Sequence, residues 1–248
     1  MNYDLSSADW GILGLAAFVV GFSKTGMPGL GIMAIPLTAL VLPAKASTGI
    51  VLPMLIAGDL FAVASYRRHA NWGLLARLFP WAFMGIVIGY RLLALVSDQQ
   101  LRPLIGVLIL VMILVSLWRE RHTNEDDEIC SRHWSFAAIM GLAAGIATMM
   151  ANAAGPIMAI YLLAMGLSKD EFVGTGAWFF FIINCVKVPF SGALGLINPD
   201  SLLLNLRLLP ATLAGALLGM IVLKLIPQLL FNRIVRILVI AAAVKLLF

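Results

Sequence analysis

Three charged side chains stand inside otherwise apolar sequence: Lys24, Asp59 and Lys187. A charge at membrane depth is costly, so such a residue is read by default as part of a binding or transport site. Lys24 lies in "GFSKTGMPGLGIMAIP", Gly21 to Pro36, between the hydroxyls of Ser23 and Thr25. An ammonium flanked by hydroxyl donors suits a small anion, and the competing role for Lys24 is a structural pairing with Asp59. Asp59 is the one carboxylate deep in an apolar run, "IVLPMLIAGDLFAVASY". Two roles stand open for it: carrying a coupled proton, or balancing Lys24. Lys187 follows Asn184 by one helical turn and either lines the same site or lies toward the membrane edge. Thr148 and Asn152 offer polar groups without charge, and Thr175 and Trp178 are weaker candidates.

The elements that must position these groups follow from composition. Of 248 residues, 62% are apolar and only 12% charged, against roughly a quarter charged in soluble proteins. Apolar runs of about 20 residues recur from end to end with short polar breaks, the pattern of an all-α polytopic membrane protein. The start, "MNYDLSSADW", has neither the basic region nor the small-residue cleavage site of a signal peptide. The net charge of +5 sits in the loops and speaks to orientation, with no basic, aromatic-laced stripe for a nucleic-acid partner. Cys130 and Cys185 suggest neither a metal site nor a disulfide framework.

The chain reads as written twice. "GLAA" at Gly14 recurs at Gly141, and "IMAI" at Ile32 recurs at Ile157. Arg77-Leu78-Phe79-Pro80 with Gly85 and Gly89 matches Arg207-Leu208-Leu209-Pro210 with Gly215 and Gly219, at a constant offset of 130. The glycine pairs have the spacing that lets membrane helices approach closely. At the offset of 125 that aligns the two "IMAI" motifs, Asp59 falls on Asn184. Residues 1–117 and 135–248 are thus two homologous repeats joined by a hydrophilic loop, 118–134, which holds five acids and three arginines. Each repeat contains a broken or re-entrant segment (Trp10 to Leu42; Ser135 to Met165) and three spanning helices. These lie near Thr48 to Tyr66, Leu78 to Leu95 and Pro103 to Leu117, then near Val173 to Ser191, Leu208 to Leu223 and Ile234 to Phe248.

The 33 residues from Trp10 to Leu42 would form a helix of about 50 Å, too long for a hydrocarbon core of about 30 Å. Full crossing of this segment makes the repeats parallel, whereas folding back makes them inverted. Folding back gathers Arg67, Arg68, Arg77, Arg119, Arg121, Arg132, Lys169, Lys224, Arg233 and Arg236 on one side, so the positive-inside rule favours inverted repeats with loop 118–134 cytoplasmic and both termini outside. Gly26, Gly29 and Gly31 permit unusual dihedrals and Pro28 fixes a turn; Gly155-Pro156 does the same in the second half. Both breaks are expected to start a short helix, at Ile32 and Ile157. Converging helix N-termini at a repeat interface make an anion site, as in secondary transporters with discontinuous helices.

The expected function is a secondary transporter of a small anion, working by alternating access around the two broken segments. Its expected partners are that anion and the lipid bilayer, with a homo-oligomer possible and no cofactor. The site residues are Ser23, Lys24, Thr25, Gly26, Gly29, Gly31, Asn152, Gly155, Asn184 and Lys187, with Asp59 for proton coupling. The alternative is a cation or metal ion transporter using Asp59, with Cys185 the only other intramembrane ligand type. No phosphate-binding G-x-x-x-x-G-K-[ST] loop is present, and His69, His122 and His133 all fall in polar loops with no H-E-x-x-H, which argues against an ATPase or an intramembrane enzyme.

The stretches "GFSKTGMPGLGIMAIPLTAL" and "ANAAGPIMAIYLLAMGLSKDEFVGTGAWFFFIINCVKVPF" resemble the repeated signatures of the TauE/SafE sulfite exporter family, also called the toluene sulfonate uptake permease family. The resemblance covers almost the whole chain. It implies a multi-pass transporter of a bacterial or archaeal inner membrane that moves sulfite, an organosulfonate or a related small carboxylate. Many members carry a denser G-x-G-G-G run where this chain has Gly29-Leu30-Gly31-Ile32.

Overall fold

A computed structural model describes residues 5–27, 30–95, 97 and 134–247, and every described element is helical. Pro28, Gly29, the expected helix at Pro103 to Leu117 and nearly all of loop 118–134 lie outside the described residues.

Helix α1 spans Ser7–Thr25. Ser6 caps it by accepting from the Asp9 amide, while the Asp9 carboxylate accepts from the Ser6 amide, so two otherwise orphaned donors are satisfied reciprocally. It stops at Thr25, with the Gly26 amide bonded to the Phe22 carbonyl. A 3-10 turn, Leu30–Met33, leads into the short α2, Ala34–Val41. Next come α3 (Ala44–Tyr66), a 3-10 turn Arg67–His69, and α4 (Trp72–Leu95). The second half contains α5 (Trp134–Ala151), the short α6 (Gly155–Ala164), α7 (Lys169–Ala193), α8 (Pro199–Leu225) and α9 (Gln228–Leu247). Five of these helices are long and apolar enough to cross a membrane: α3, α4, α5, α7 and α8.

Several elements begin before the apolar pattern announces them. Helix α8 starts at Pro199 rather than Leu208, because Asn198 caps it and Pro199 suits the first turn. Helix α4 starts at Trp72 rather than Leu78, and α7 starts at Lys169, behind the Ser168–Glu171 capping box. Arg77 and Arg207 therefore sit on exposed helix surface, not in loops. Ile32 lies in the 3-10 turn with α2 starting two residues later, and α6 starts at Gly155 rather than Ile157.

Close packing rests on glycine. A methyl group on Gly145 would meet the Ala82 carbonyl oxygen at 2.2 Å, and one on Gly85 the Leu142 carbonyl oxygen at 2.3 Å, so α4 and α5 touch backbone to backbone. Gly21 against Thr212 and Gly215 against Phe18 do the same for α1 and α8. Such contact replaces the hydrophobic drive that lipid does not supply. Helices α3 and α7 meet between these two pairs and run antiparallel. Gly49 near the start of α3 faces Leu196 just past α7, Asp59 faces Asn184, and Gly174 near the start of α7 faces Tyr66 and His69 at the other end of α3.

Candidate functional site

Where α1 ends, α6 begins and α7 passes, a cavity of about 60 Å³ opens. A single water needs about 10–15 Å³ on this measure, so the space admits a small multi-atom ligand. Its polar wall is Ser23, Lys24, Thr148, Asn152 and Asn184, together with the backbone at Gly31 and Gly155. Gly155 heads α6, whose second residue is Pro156 and whose flanking Ala154 offers no side-chain cap. No N-cap side chain accepts from the first amides of α6, and a helix N-terminus of this kind attracts negative charge. The apolar part of the lining includes Leu55, Met158, Phe172 and Phe180.

Behind the polar wall, four helices are joined by one chain of polar contacts. Lys24 Nζ on α1 lies 2.7 Å from Asp59 Oδ1 on α3 and 4.2 Å from the centre of the Phe180 ring on α7. Asn184 Nδ2 donates to the other carboxylate oxygen, Asp59 Oδ2, at 2.7 Å. Lys187 Nζ in turn donates to Asn184 Oδ1 at 3.3 Å, to Thr148 Oγ1 at 3.0 Å and to Asn152 Oδ1. Asn152, which follows α5 with a left-handed backbone (φ 54°), donates its side-chain amide to the Thr48 carbonyl on α3 at 3.0 Å. Both Asp59 and Lys187 are fully buried. The cluster holds two lysines and one carboxylate, and only Lys24 touches that carboxylate, so with both lysines protonated it carries one net positive charge.

The sequence-expected residues that the structure describes divide into three groups. Ser23, Lys24, Gly31, Asn152, Gly155 and Asn184 line the cavity, as does Thr148. Asp59 and Lys187 stand one layer behind it, bonded to residues that line it. Thr25 and Gly26 turn the other way: Thr25 Oγ1 donates to the Ala216 carbonyl at 2.6 Å, and Gly26 packs on Gly219 of α8. Gly29 is outside the described residues. Thr175 accepts from the Asn71 amide and Trp178 packs on Trp72, both away from the cavity. Phe172 and Phe180 escape a reading that looks only for polar groups, although they precede Asn184 at steps of four along α7 and so share its face.

Multiple apolar helices around a charged, partly enclosed cavity define a multi-pass membrane protein with a polar site among its helices. The chain belongs to the sulfite exporter TauE/SafE family, whose model matches residues 13–246. Membership implies a membrane transporter of sulfite- or sulfonate-type anions. No curated protein and no solved structure matches the chain.

Proposed function

We propose that the protein is a secondary carrier of one small anion, a sulfite, an organosulfonate or a related oxyanion or carboxylate, bound in the cavity between Lys24 and the N-terminus of α6. The observation that carries this reading is the charge of the polar wall and the layer behind it: two lysines against a single carboxylate, beside uncapped helix amides. With both lysines protonated, an anion would complete the charge balance there. The cation alternative draws on Asp59, but its two oxygens are already engaged by Lys24 and Asn184, which makes it a counter-charge for Lys24.

Alternating access around inverted repeats is the proposed cycle, in a bacterial or archaeal inner membrane. Asp59 and Asn184, equivalent at the offset of 125, touch each other, and their helices run antiparallel. Equivalent helices that run in opposite senses support an inverted pair over a parallel one. The packing of α1 on α8 repeats that of α5 on α4 in the same sense.

The test is thermal stability of the purified protein in detergent, titrated with sulfite, sulfate, thiosulfate, sulfoacetate and lactate, with divalent cations as controls. A ligand at a hundred times its Kd adds about 2.7 kcal/mol, a readable rise in Tm. Saturable stabilisation by one anion supports the carrier reading. Stabilisation by divalent cations alone overturns it.

A further inference from the structure

We propose that Lys187 is the proton carrier of the cycle, taking up one proton at Nζ as an anion occupies the cavity and releasing it as the anion leaves. This rests on the anion-carrier reading and adds the group that couples anion to proton. Lys187 is buried to 1% exposure, and its three N–H bonds are matched by three neutral oxygens, from Thr148, Asn152 and Asn184. Among the described residues no carboxylate lies within ion-pair distance of it.

The groups facing it from each packed element bear this out. Helix α3 brings Asp59, already held by Lys24 and Asn184, and α1 brings Lys24, a like charge. Helix α5 brings Thr148 and Asn152, and α6 turns Gly155 and Met158 toward the cavity, all uncharged. From α4, the Tyr90 ring packs on Phe190, and the turn Arg67–His69 meets α7 near Gly174, at its far end. Cys185, on α7 itself, is exposed.

Electroneutrality then links the two events. With the cavity empty, the Lys24–Asp59 pair and a neutral amine at Lys187 sum to zero. With a monoanion bound, the same sum is zero only if Lys187 is an ammonium. Each mixed combination buries a net charge, which a low-dielectric interior penalises. The step is a simple protonation: the amine lone pair takes a proton from solvent on one side of the membrane and returns it on the other, and no other bond changes. By linkage, the proton tightens anion binding by the same factor that the anion tightens proton binding. The contact is short, since all three acceptors of Lys187 belong to residues that line the cavity. Asn152 also reaches α3 through Thr48, so the state of Lys187 bears on the α5–α6 junction where the N-terminus of α6 starts. Protonating Asp59 instead would break its pair with Lys24.

The test is calorimetric titration of the full chain in detergent with sulfite and with methanesulfonate, a monoanion of fixed charge, in buffers of different ionisation enthalpy. Buffer-dependent heat counts protons. With methanesulfonate we expect uptake to rise toward one proton per anion from neutral to alkaline pH, with affinity falling about tenfold per pH unit once the empty protein's amine is neutral. The proton count is read from this anion because sulfite can itself take up a proton to become bisulfite. Lys187→Arg, permanently charged, should bind without uptake and without that pH dependence, and Lys187→Met should lose uptake. Anion binding with no uptake by the unaltered chain overturns the inference and leaves the carrier reading standing. Uptake that persists in both Lys187 variants but disappears in Asp59→Asn moves the role to Asp59. No binding of either anion, nor of any anion in the stability panel, removes the carrier reading and this inference with it.

Discussion

The pair of Lys24 and Asp59 decides how the site can be probed. Removing one member of a buried ion pair leaves the other charge uncompensated, which costs about 3–5 kcal/mol, whereas replacing both is close to neutral. Lys24→Met alone should therefore lower Tm sharply, and Lys24→Met combined with Asp59→Asn should recover most of the loss while still failing to bind anion. A double variant that regains stability and also binds normally would take Lys24 out of the site. Asn152 offers a second test, because its backbone is left-handed (φ 54°). Asn152→Gly keeps that geometry and loses only the side-chain bonds to Lys187 and Thr48. Asn152→Ala adds a strain of about 1 kcal/mol, so it should melt below the Gly variant, and equal Tm values would show that the backbone there relaxes freely. At this scale much of the polar wall was legible, since Lys24, Asn152 and Asn184 betray themselves as polar groups in apolar runs. Thr25 shows the limit: its hydroxyl serves the α1–α8 contact, and no local pattern says which neighbour a hydroxyl will meet.

Helices pack here according to what their glycines face, which composition alone does not reveal. Gly14 and Gly145 both lie within helices, yet a methyl on Gly14 meets nothing within 4 Å, while one on Gly145 runs into the Ala82 carbonyl oxygen and Gly85. Gly14→Ala should be neutral or stabilising by up to about 1 kcal/mol through helix propensity. Gly145→Ala should cost about 1–3 kcal/mol by prising α4 from α5. Equal melting temperatures for the two variants would mean that the α4–α5 contact yields without cost. Existence and order of the long described helices were legible from apolar runs, and the Gly85/Gly89 and Gly215/Gly219 pairs correctly marked close approaches. Helix starts were not, because the first turns of α4, α7 and α8 mix polar and apolar residues and are set by caps and prolines rather than by hydropathy.

Over the whole molecule, the antiparallel course of α3 and α7 supports the proposed inverted topology over a parallel one, two arrangements that composition leaves nearly balanced. Parallel repeats with four crossings each return the chain to its starting side at the middle and again at the end. Inverted repeats with three crossings each put the middle on the opposite side from both termini. Loop 118–134 contains Cys130, and the other cysteine, Cys185, lies within α7. In a Cys185→Ser protein, a membrane-impermeant maleimide applied to intact cells should leave Cys130 unlabelled until the membrane is opened, while an epitope at either terminus is reached from outside without opening. Labelling of Cys130 and detection of both termini from the same side would instead require an even number of crossings per repeat. The contact between Asp59 and Asn184 would then join two helices that merely pass each other, and the two-sided access that the proposed inverted axis would supply would have to come from elsewhere in the fold.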